Sequence, residues 1–307
     1  MKPKVTIIMA TYNRAHFIVE TLESIINQSY TDWECLIIDD GGTDNTKEVI
    51  HSIIESDNRF HYLLRPEKYS KGLPGCRNYG LDFASGEFVI FFDDDDIVHP
   101  DNLKTCLAIL KNETIDFCHY QKQPYYNQKP VFEVSLVRTE KKITINDIEE
   151  VIMQRIGLAS CTVMWKKQSF NQIRFNEKLL YAEEWECYCR LICKNLNGIM
   201  IDTILYYNRK HPNSNTGEFF SNDPIRRQSY SQAILLVLQN IKKELLLSTR
   251  LKRYFIILSK DFEEYNLFEE IITVMQLSKV EKMKWNLFFK ILPLRLMIHK
   301  IKNGLQN

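Results

Sequence analysis

An α/β fold built on a mostly parallel sheet flanked by helices, with a helical C-terminal extension, is the class this sequence predicts. Three observations predict it. Short β-branched or aromatic runs alternate with amphipathic helical segments through residues 5–120. The turns that follow several of those runs are polar, and two are acidic. From about residue 223 onward the alternation stops and helical spacing takes over. In open sheets of this kind, ligands bind beyond the carboxyl ends of the strands.

Taken in order, residues 5–10 read as a first strand. Residues 16–28 follow as a helix, with Phe17, Ile18, Thr21, Leu22, Ile25 and Ile26 on one face. Residues 33–38 are a second strand ending in Asp39 and Asp40. Asn45 can cap the next helix, with Glu48 three residues on and Val49, Ile50, Ile53 and Ile54 as its apolar stripe. Residues 60–64 are a third strand, and 74–84 a helix with Gly86 just past its end. The run 88–92 is a fourth strand. Pro100 opens another helix through Leu103, Leu107 and Leu110, and 115–120 is a further strand. Residues 121–156, with Tyr125 and Tyr126 and mixed charge, read as an irregular insert. The division this implies is an α/β region over 1–222, in halves at 1–120 and 121–222. A helical, basic region follows over 223–307.

Composition excludes several classes. The chain has 307 residues, 45% hydrophobic and 26% charged, which is enough for a large core. A net charge of +1 gives no field for nucleic acid. Eight scattered cysteines form no CxxC pair, and no apolar run approaches the roughly 18 residues a membrane span needs. A reduced, cytoplasmic setting is the expectation.

The stretch FVIFFDDDDIVHP, residues 88–100, carries the chemistry. Asp93, Asp94, Asp95 and Asp96 repel one another unless a cation joins them, and oxygen ligands suit a divalent metal. If the extended period continues, Asp93 and Asp95 point one way and Asp94 and Asp96 the other. Thr11-Tyr12-Asn13-Arg14 and Asp39-Asp40 also follow strands directly. Parallel strands would bring all three clusters to one edge. Neither GxGxxG nor a GxxxxGK loop is present, so a nucleotide would be held by side chains and a metal.

The segments VTIIMATYNR, CLIIDDGGTDNT, KGLPGCRNYGL, ASGEFVIFFDDDD and YAEEWECYCRL resemble, in order and spacing, the motifs of family 2 glycosyltransferases, which have the GT-A (Rossmann-like) fold. The resemblance covers roughly the first 215 residues, and it implies a catalytic domain over 1–222 with a nucleotide half at 1–120 and an acceptor half at 121–222. It implies that Thr11, Tyr12, Asn13 and Arg14 lie along the nucleotide. It makes Asp40, with its neighbour Asp39, the contact to the base, usually uracil, and places Arg77 near the nucleotide. It makes Asp93 and Asp95 the D-x-D pair that holds Mn2+ or Mg2+, with Asp94 between them among the nucleotide-binding residues. Glu184 matches the carboxylate of the family's E-D-W element, the catalytic base. The family usually has aspartate there, so Glu183 and Glu186 stay open as alternatives. Arg209 and His211 resemble a loop near the donor phosphates.

The chemistry is consistent with those roles. Leaving of a nucleoside diphosphate develops negative charge that a divalent metal stabilises, and a carboxylate can take the acceptor hydroxyl's proton. One base and no covalent nucleophile predicts inversion at the anomeric carbon, by the geometry that separates the two classes of glycosidase. A UDP-sugar donor and a glycan or lipid-linked acceptor are what the resemblance implies. Bland readings stand beside these. The aspartates could form a solvated turn, Asp39-Asp40 a helix entry, and the glutamates a helix first turn that complements the dipole. Cys187, Cys189 and Cys193 read as buried helix cysteines, since no nearby histidine completes a metal set. Asp94, Asp96 and Val98 also fit the D-x-D-x-V nucleophile motif of haloacid-dehalogenase-like phosphatases, although two βα units precede it. A binding protein without turnover is the non-enzymatic alternative.

The tail, 279–304, mixes Trp285, Phe288, Phe289, Leu292, Leu296 and Ile301 with Lys282, Lys284, Lys290, Arg295, Lys300 and Lys302. Such a helix suits either an anionic membrane interface, over 279–302, or packing on the catalytic domain or a second subunit. Pro293 is expected to kink or end it.

Overall fold

The computed structural model describes residues 3–304 except 127, 135, 212, 213, 245 and 246, with backbone alone at 243, 244 and 295–304. Four βα steps open the chain. Strand β1 (Val5–Thr11) leads to helix α1 (Ile18–Ile26), β2 (Trp33–Asp39) to α2 (Thr46–Ser56), and β3 (Phe60–Leu64) to α3 (Leu73–Phe83). After β4 (Phe88–Phe92), the short β5 (Ile97–Val98) and α4 (Asn102–Leu110) comes β6 (Phe117–Tyr125). The segment expected to be irregular is partly ordered: it holds the end of β6, β7 (Glu140–Ile143) and α5 (Ile148–Ile152). Strand β8 (Val163–Lys166), helix α6 (Glu183–Ile192) and β9 (Gly198–Arg209) complete the sheet.

One nine-stranded sheet results, in the order β3-β2-β1-β4-β8-β6-β9-β5, with β7 beside β9. Strands β1 to β4 are mutually parallel where they pair, and β8 runs antiparallel to both β4 and β6. Because β9 is parallel to β6, six strands share one direction, and only β5, β7 and β8 oppose it. Thr11 pairs with Asp39 and Met9 with Phe92, so the carboxyl ends of β1, β2 and β4 are level. Tyr125 pairs with Arg209, which brings the ends of β6 and β9 to the same edge.

Local chemistry explains the boundaries. Helix α1 starts two residues later than its apolar stripe suggests, because the Phe17 and Ile18 amides both bond the Arg14 carbonyl in a preceding turn. Asn45 occupies the cap position of α2, but its side chain makes no capping bond; the Thr46 amide donates to Asp44 Oδ1 instead, at 3.0 Å. The sheet's alternation splits the core. Val5, Ile7 and Met9 pack with Leu22, Leu103 and Leu107 on one face, while Ile8 turns to Leu81, Trp165 and Tyr188 on the other.

Helices α7 (Asn215–Phe220), α8 (Pro224–Glu244), α9 (Thr249–Leu258), α10 (Leu267–Met275) and α11 (Lys279–Gly304) follow. Helix α8 begins at a proline, where the missing N–H costs nothing. It buries Ala233, Ile234, Val237, Leu238 and Ile241 against α6 and α10, in a core continuous with that of the sheet. Leu245, which continues the helical spacing of Ile234, Leu238 and Ile241 in the sequence, lies outside the described residues. Helix α11 runs on past Pro293, contrary to the expected break, and Pro293 sits exposed. Its Trp285 and Leu292 are buried, with Phe288 and Phe289 packed beside them. Arg295, Leu296, Lys300, Ile301 and Lys302 lie outside the described side chains. None of the described helices is long and apolar enough to cross a membrane.

Candidate active site

The carboxyl edge of the sheet opens into a cavity of about 990 Å³. Thr11, Tyr12, Asn13, Arg14, Asp40, Arg77, Asp93 to Asp96, Tyr181, Glu183 and Glu184 all line it. The strands' common direction accounts for this gathering.

Each residue of the loops after β1 and β2 is held by its own contacts. Asn13 adopts a left-handed backbone (φ 55°), and its Oδ1 accepts from the Thr43 and Asp44 amides at 2.7 and 3.2 Å. That ties the loop after β2 to the loop after β1. Tyr12 is 43% exposed, with the Lys71 ammonium over its ring. Asp40 accepts from Arg65 Nε and, at 2.9 Å, from the Gly72 amide. Gly72 has φ +118°, a conformation that favours glycine. Asp39 is used differently: its Oδ1 accepts from the Gly41 and Gly42 amides at 3.0 and 2.8 Å, and its Oδ2 from the Tyr62 hydroxyl. Asp39 builds the turn and is not among the residues lining the cavity.

The four aspartates do not continue the strand. β4 ends at Phe92 and residues 93–96 turn, so the alternation expected of them is broken. Arg14 Nε reaches Asp94 Oδ1 at 3.3 Å and Asp95 Oδ2 at 3.8 Å, which puts those two neighbours on one side. The Asp93 amide donates to the Tyr206 hydroxyl at 3.0 Å, and Asp96 Oδ1 accepts from the Arg209 amide at 2.7 Å. Arg209 Nε donates to the Asp95 carbonyl at 2.8 Å, while its guanidinium pairs with Glu20 and lies over the rings of Phe17 and Tyr125. His211 Nε2 lies 2.9 Å from Asp95 Oδ2. Arg209 and His211 therefore brace the aspartate turn; Arg209 also lines the cavity, whereas His211 is not among the lining residues.

Burial pushes the Asp94 carboxyl up to about 7, with Asp95 adding to the rise and Arg14 opposing it. Burial also raises Asp93, against the pull of Arg77, and raises Asp96, with Asp95 and Asp93 contributing. Carboxylates crowded this way favour a bound cation. Hard oxygen donors fit Mg2+ or Mn2+. The ligand atoms found within 4.8 Å of one another are those of Asp93, Asp96 and Cys161, a set that includes Asp93 of the expected pair but not Asp95.

The three glutamates of α6 separate cleanly. Glu183 is 3% exposed, and its Oε1 accepts from Arg77 Nη1 at 2.6 Å. Burial and the neighbouring Glu184 raise its pKa, while Arg77 pulls it down. Arg77 also donates to Ser160 Oγ at 3.0 Å and approaches Asp93 at 3.8 Å. Glu186 takes both Arg190, at 2.7 and 2.8 Å, and Asn240, at 2.9 Å. Glu184 lines the cavity and makes no hydrogen bond or salt bridge among the described residues. Cys187, Cys189 and Cys193 are buried.

Sequence reasoning missed several contributors. Arg65 directly follows β3 and Lys122 lies near the end of β6, so the rule applied to the other strands would have found both. Glu20, Ser160 and Tyr206 carried no local signal, since each meets its partner across more than 80 residues of chain.

A mixed sheet with six co-directional strands, an acidic turn after the fourth, and an unpaired carboxylate lining the same cavity are features of the GT-A class of glycosyltransferase. The sequence matches the family described as "Glycosyl transferase family 2" over residues 6–170, and the chain belongs to that family. It is 32% identical, over 62% of its length and 70% of the relative's, to an Escherichia coli enzyme. That enzyme is named UDP-Glc:alpha-D-GlcNAc-diphosphoundecaprenol beta-1,3-glucosyltransferase WfgD. A Campylobacter jejuni GalNAc(5)-diNAcBac-PP-undecaprenol beta-1,3-glucosyltransferase is 40% identical over 34% of each chain. An uncharacterised glycosyltransferase of Rickettsia felis is 30% identical over 64% of this chain, which spans 31% of that protein. Among solved structures, S. aureus TarS 1–349 in complex with UDP-GlcNAc superposes with a TM-score of 0.65 at 21% identity, covering 92% of this chain and 78% of the other. That likeness establishes the GT-A fold. Family membership leaves no support for the haloacid-dehalogenase reading, whose motif belongs on a first strand and here follows the fourth.

Proposed function

We propose that this chain is a metal-dependent, inverting glycosyltransferase that moves a hexosyl or N-acetylhexosaminyl group from a UDP-sugar to a hydroxyl of a glycan or lipid-linked acceptor in polysaccharide biosynthesis. The observation that carries the reading is the free Glu184 carboxylate, across one cavity from Tyr12, Asp40 and the aspartate turn. Its neighbours Glu183 and Glu186 are both committed to arginines.

In this mechanism the uracil lies along Tyr12 and is read by Asp40, while Thr11, Asn13 and Arg14 shape the channel. Asp93 and Asp95 would hold Mn2+ or Mg2+, assisted by Asp96. Bound there, the metal would supply the positive charge that a departing diphosphate needs. Glu184 accepts the proton of the attacking hydroxyl at its carboxylate, and Arg77 keeps Glu183 out of that role. Among the carboxylates lining the cavity, Glu183 is held by Arg77 and the aspartates are assigned to the metal, which leaves one base and supports inversion. The named acceptors of the E. coli and C. jejuni relatives are undecaprenol-linked, which supports a lipid-linked acceptor and a cytoplasmic chain at the inner face of a membrane.

Calorimetric titration with UDP, GDP, dTDP and CMP, each with and without Mn2+, tests the donor side. UDP binding that requires metal is expected. Metal-dependent binding of another nucleotide would move the donor and keep the mechanism. Absence of any nucleotide binding would sink the transferase reading. Binding without sugar transfer to any glycan acceptor would favour the non-catalytic binding protein.

A further inference from the structure

Helix α11 has two apolar faces, and the protein covers only one. Trp285 and Leu292 are 5% and 3% exposed, with Phe288 and Phe289 packed beside them against the helical region. On the other side Val280, Met283, Leu287, Ile291 and Leu294 are 78%, 74%, 62%, 39% and 54% exposed. At about 100° per residue these five fall within roughly 80° of the helix circumference, a continuous stripe opposite the packed face. Isolated exposed apolar residues need no explanation, but five in one stripe do.

Charge decides what covers it. On the same wheel Lys284 borders the stripe on one side, and Lys279 and Lys290 border it on the other. All three, with Lys282, are exposed and form no salt bridge among the described residues. The only acidic residue from 279 to 294 is Glu281, which is occupied by Lys252 at 2.9 Å. A second copy docked stripe to stripe about a two-fold axis would oppose lysines to lysines with no carboxylate between them. An anionic surface meets both features. Apolar side chains enter the acyl boundary while flanking lysines keep their ammonium groups at the phosphates.

We infer that the Val280–Leu294 stripe of α11 is an interfacial anchor that lies flat on an anionic lipid bilayer. The inference rests on the proposed inner-membrane setting and assigns the face that makes the contact. The helix lies in the surface without crossing it, in keeping with its two-sided character.

The test is co-sedimentation of the full chain with vesicles of phosphatidylcholine alone or with a quarter phosphatidylglycerol, at low and high salt. Binding is expected to need the anionic lipid and to weaken with salt. Leu287→Glu with Ile291→Glu should abolish it. Both positions are exposed, so the variant should keep the wild-type melting temperature. Lys284→Gln with Lys290→Gln should lower partitioning by about five-fold per lysine. Three results would overturn the inference: no vesicle binding, binding unchanged in the Leu287→Glu/Ile291→Glu variant, or a wild-type dimer in solution that this variant splits. Metal-dependent UDP binding measured on the same preparations separates the two readings. Loss of vesicle binding with nucleotide binding intact removes only the anchor.

Discussion

Glu183 and Glu184 are adjacent, equally acidic, and placed in opposite situations. The Glu183 carboxylate is 3% exposed and bound to Arg77 at 2.6 Å; the Glu184 carboxylate faces the cavity. Their isosteric amides should therefore fail differently. Glu184→Gln is expected to lower kcat by about 10²- to 10⁴-fold, with the UDP dissociation constant and the melting temperature unchanged. Glu183→Gln leaves a buried guanidinium without its main partner, so it should cost stability by about 3–5 kcal/mol, read by urea denaturation. Equal kinetic loss in both, or no stability loss for Glu183→Gln, would reverse the assignment. At this scale the sequence offered three carboxylates, Glu183, Glu184 and Glu186, but could not rank them. The choice rests on Arg77, 106 residues away in the chain, and on Arg190 and Asn240 for Glu186.

At the level of elements, the site depends on how closely helix α3 enters its loop. A Cβ at Gly75 would stand 1.9 Å from the Ser70 carbonyl oxygen, a backbone atom that cannot swing away. That loop delivers the Gly72 amide to Asp40. Gly75→Ala is expected to destabilise the fold by roughly 1–3 kcal/mol and to weaken UDP binding as well, because the loop must shift. Calorimetric affinity unchanged alongside a lowered melting temperature would show that the loop does not hold the donor pocket. Most elements were legible from periodicity, since a buried strand or an amphipathic helix declares itself over a handful of residues. Asn45 yields its capping role to its neighbour Asp44, the run of aspartates leaves the strand at Phe92, and residues 121–156 contain ordered elements despite a weak pattern. In the last two cases contacts to other elements, to Tyr206 and Arg209 for the aspartates and to β9 for β7, outweighed the local preference.

For the whole molecule, pH acts through groups buried without a counter-charge. His119 is 5% exposed, with Nδ1 3.1 Å from the Thr162 carbonyl, and burial lowers its pKa to about 4. The folded protein thus holds the neutral ring, whereas the unfolded chain takes up a proton near 6.5. Its contribution is complete above pH 6.5 and is lost as the pH falls from there towards 4, by on the order of 3 kcal/mol. His119→Leu should flatten that part of the stability curve measured by denaturation between pH 4 and 7. An undiminished slope would assign the acid sensitivity to other groups. The same scale governs the helical region. Its apolar residues complete one core with α6 and the sheet, so truncation before α8 should leave that core open and the chain insoluble or unfolded. A well-folded product over 1–222 would instead support that boundary as a domain limit.

By itself the sequence determined the succession of strands and helices, the placement of Thr11–Arg14, Asp39–Asp40 and Asp93–Asp96 directly after strands, and the family. These are properties of neighbours along the chain: side-chain period, turn residues and motif spacing. Only the tertiary structure decided that Asp39 builds a turn while Asp40 faces the cavity, and that Arg209 and His211 brace the aspartates. It alone decided that Arg77 binds Glu183 and so leaves Glu184 free, and that α11 covers one of its apolar faces and exposes the other. Those outcomes depend on distances between residues remote in the chain, which a one-dimensional pattern does not encode until the sheet's direction and register bring its ends together.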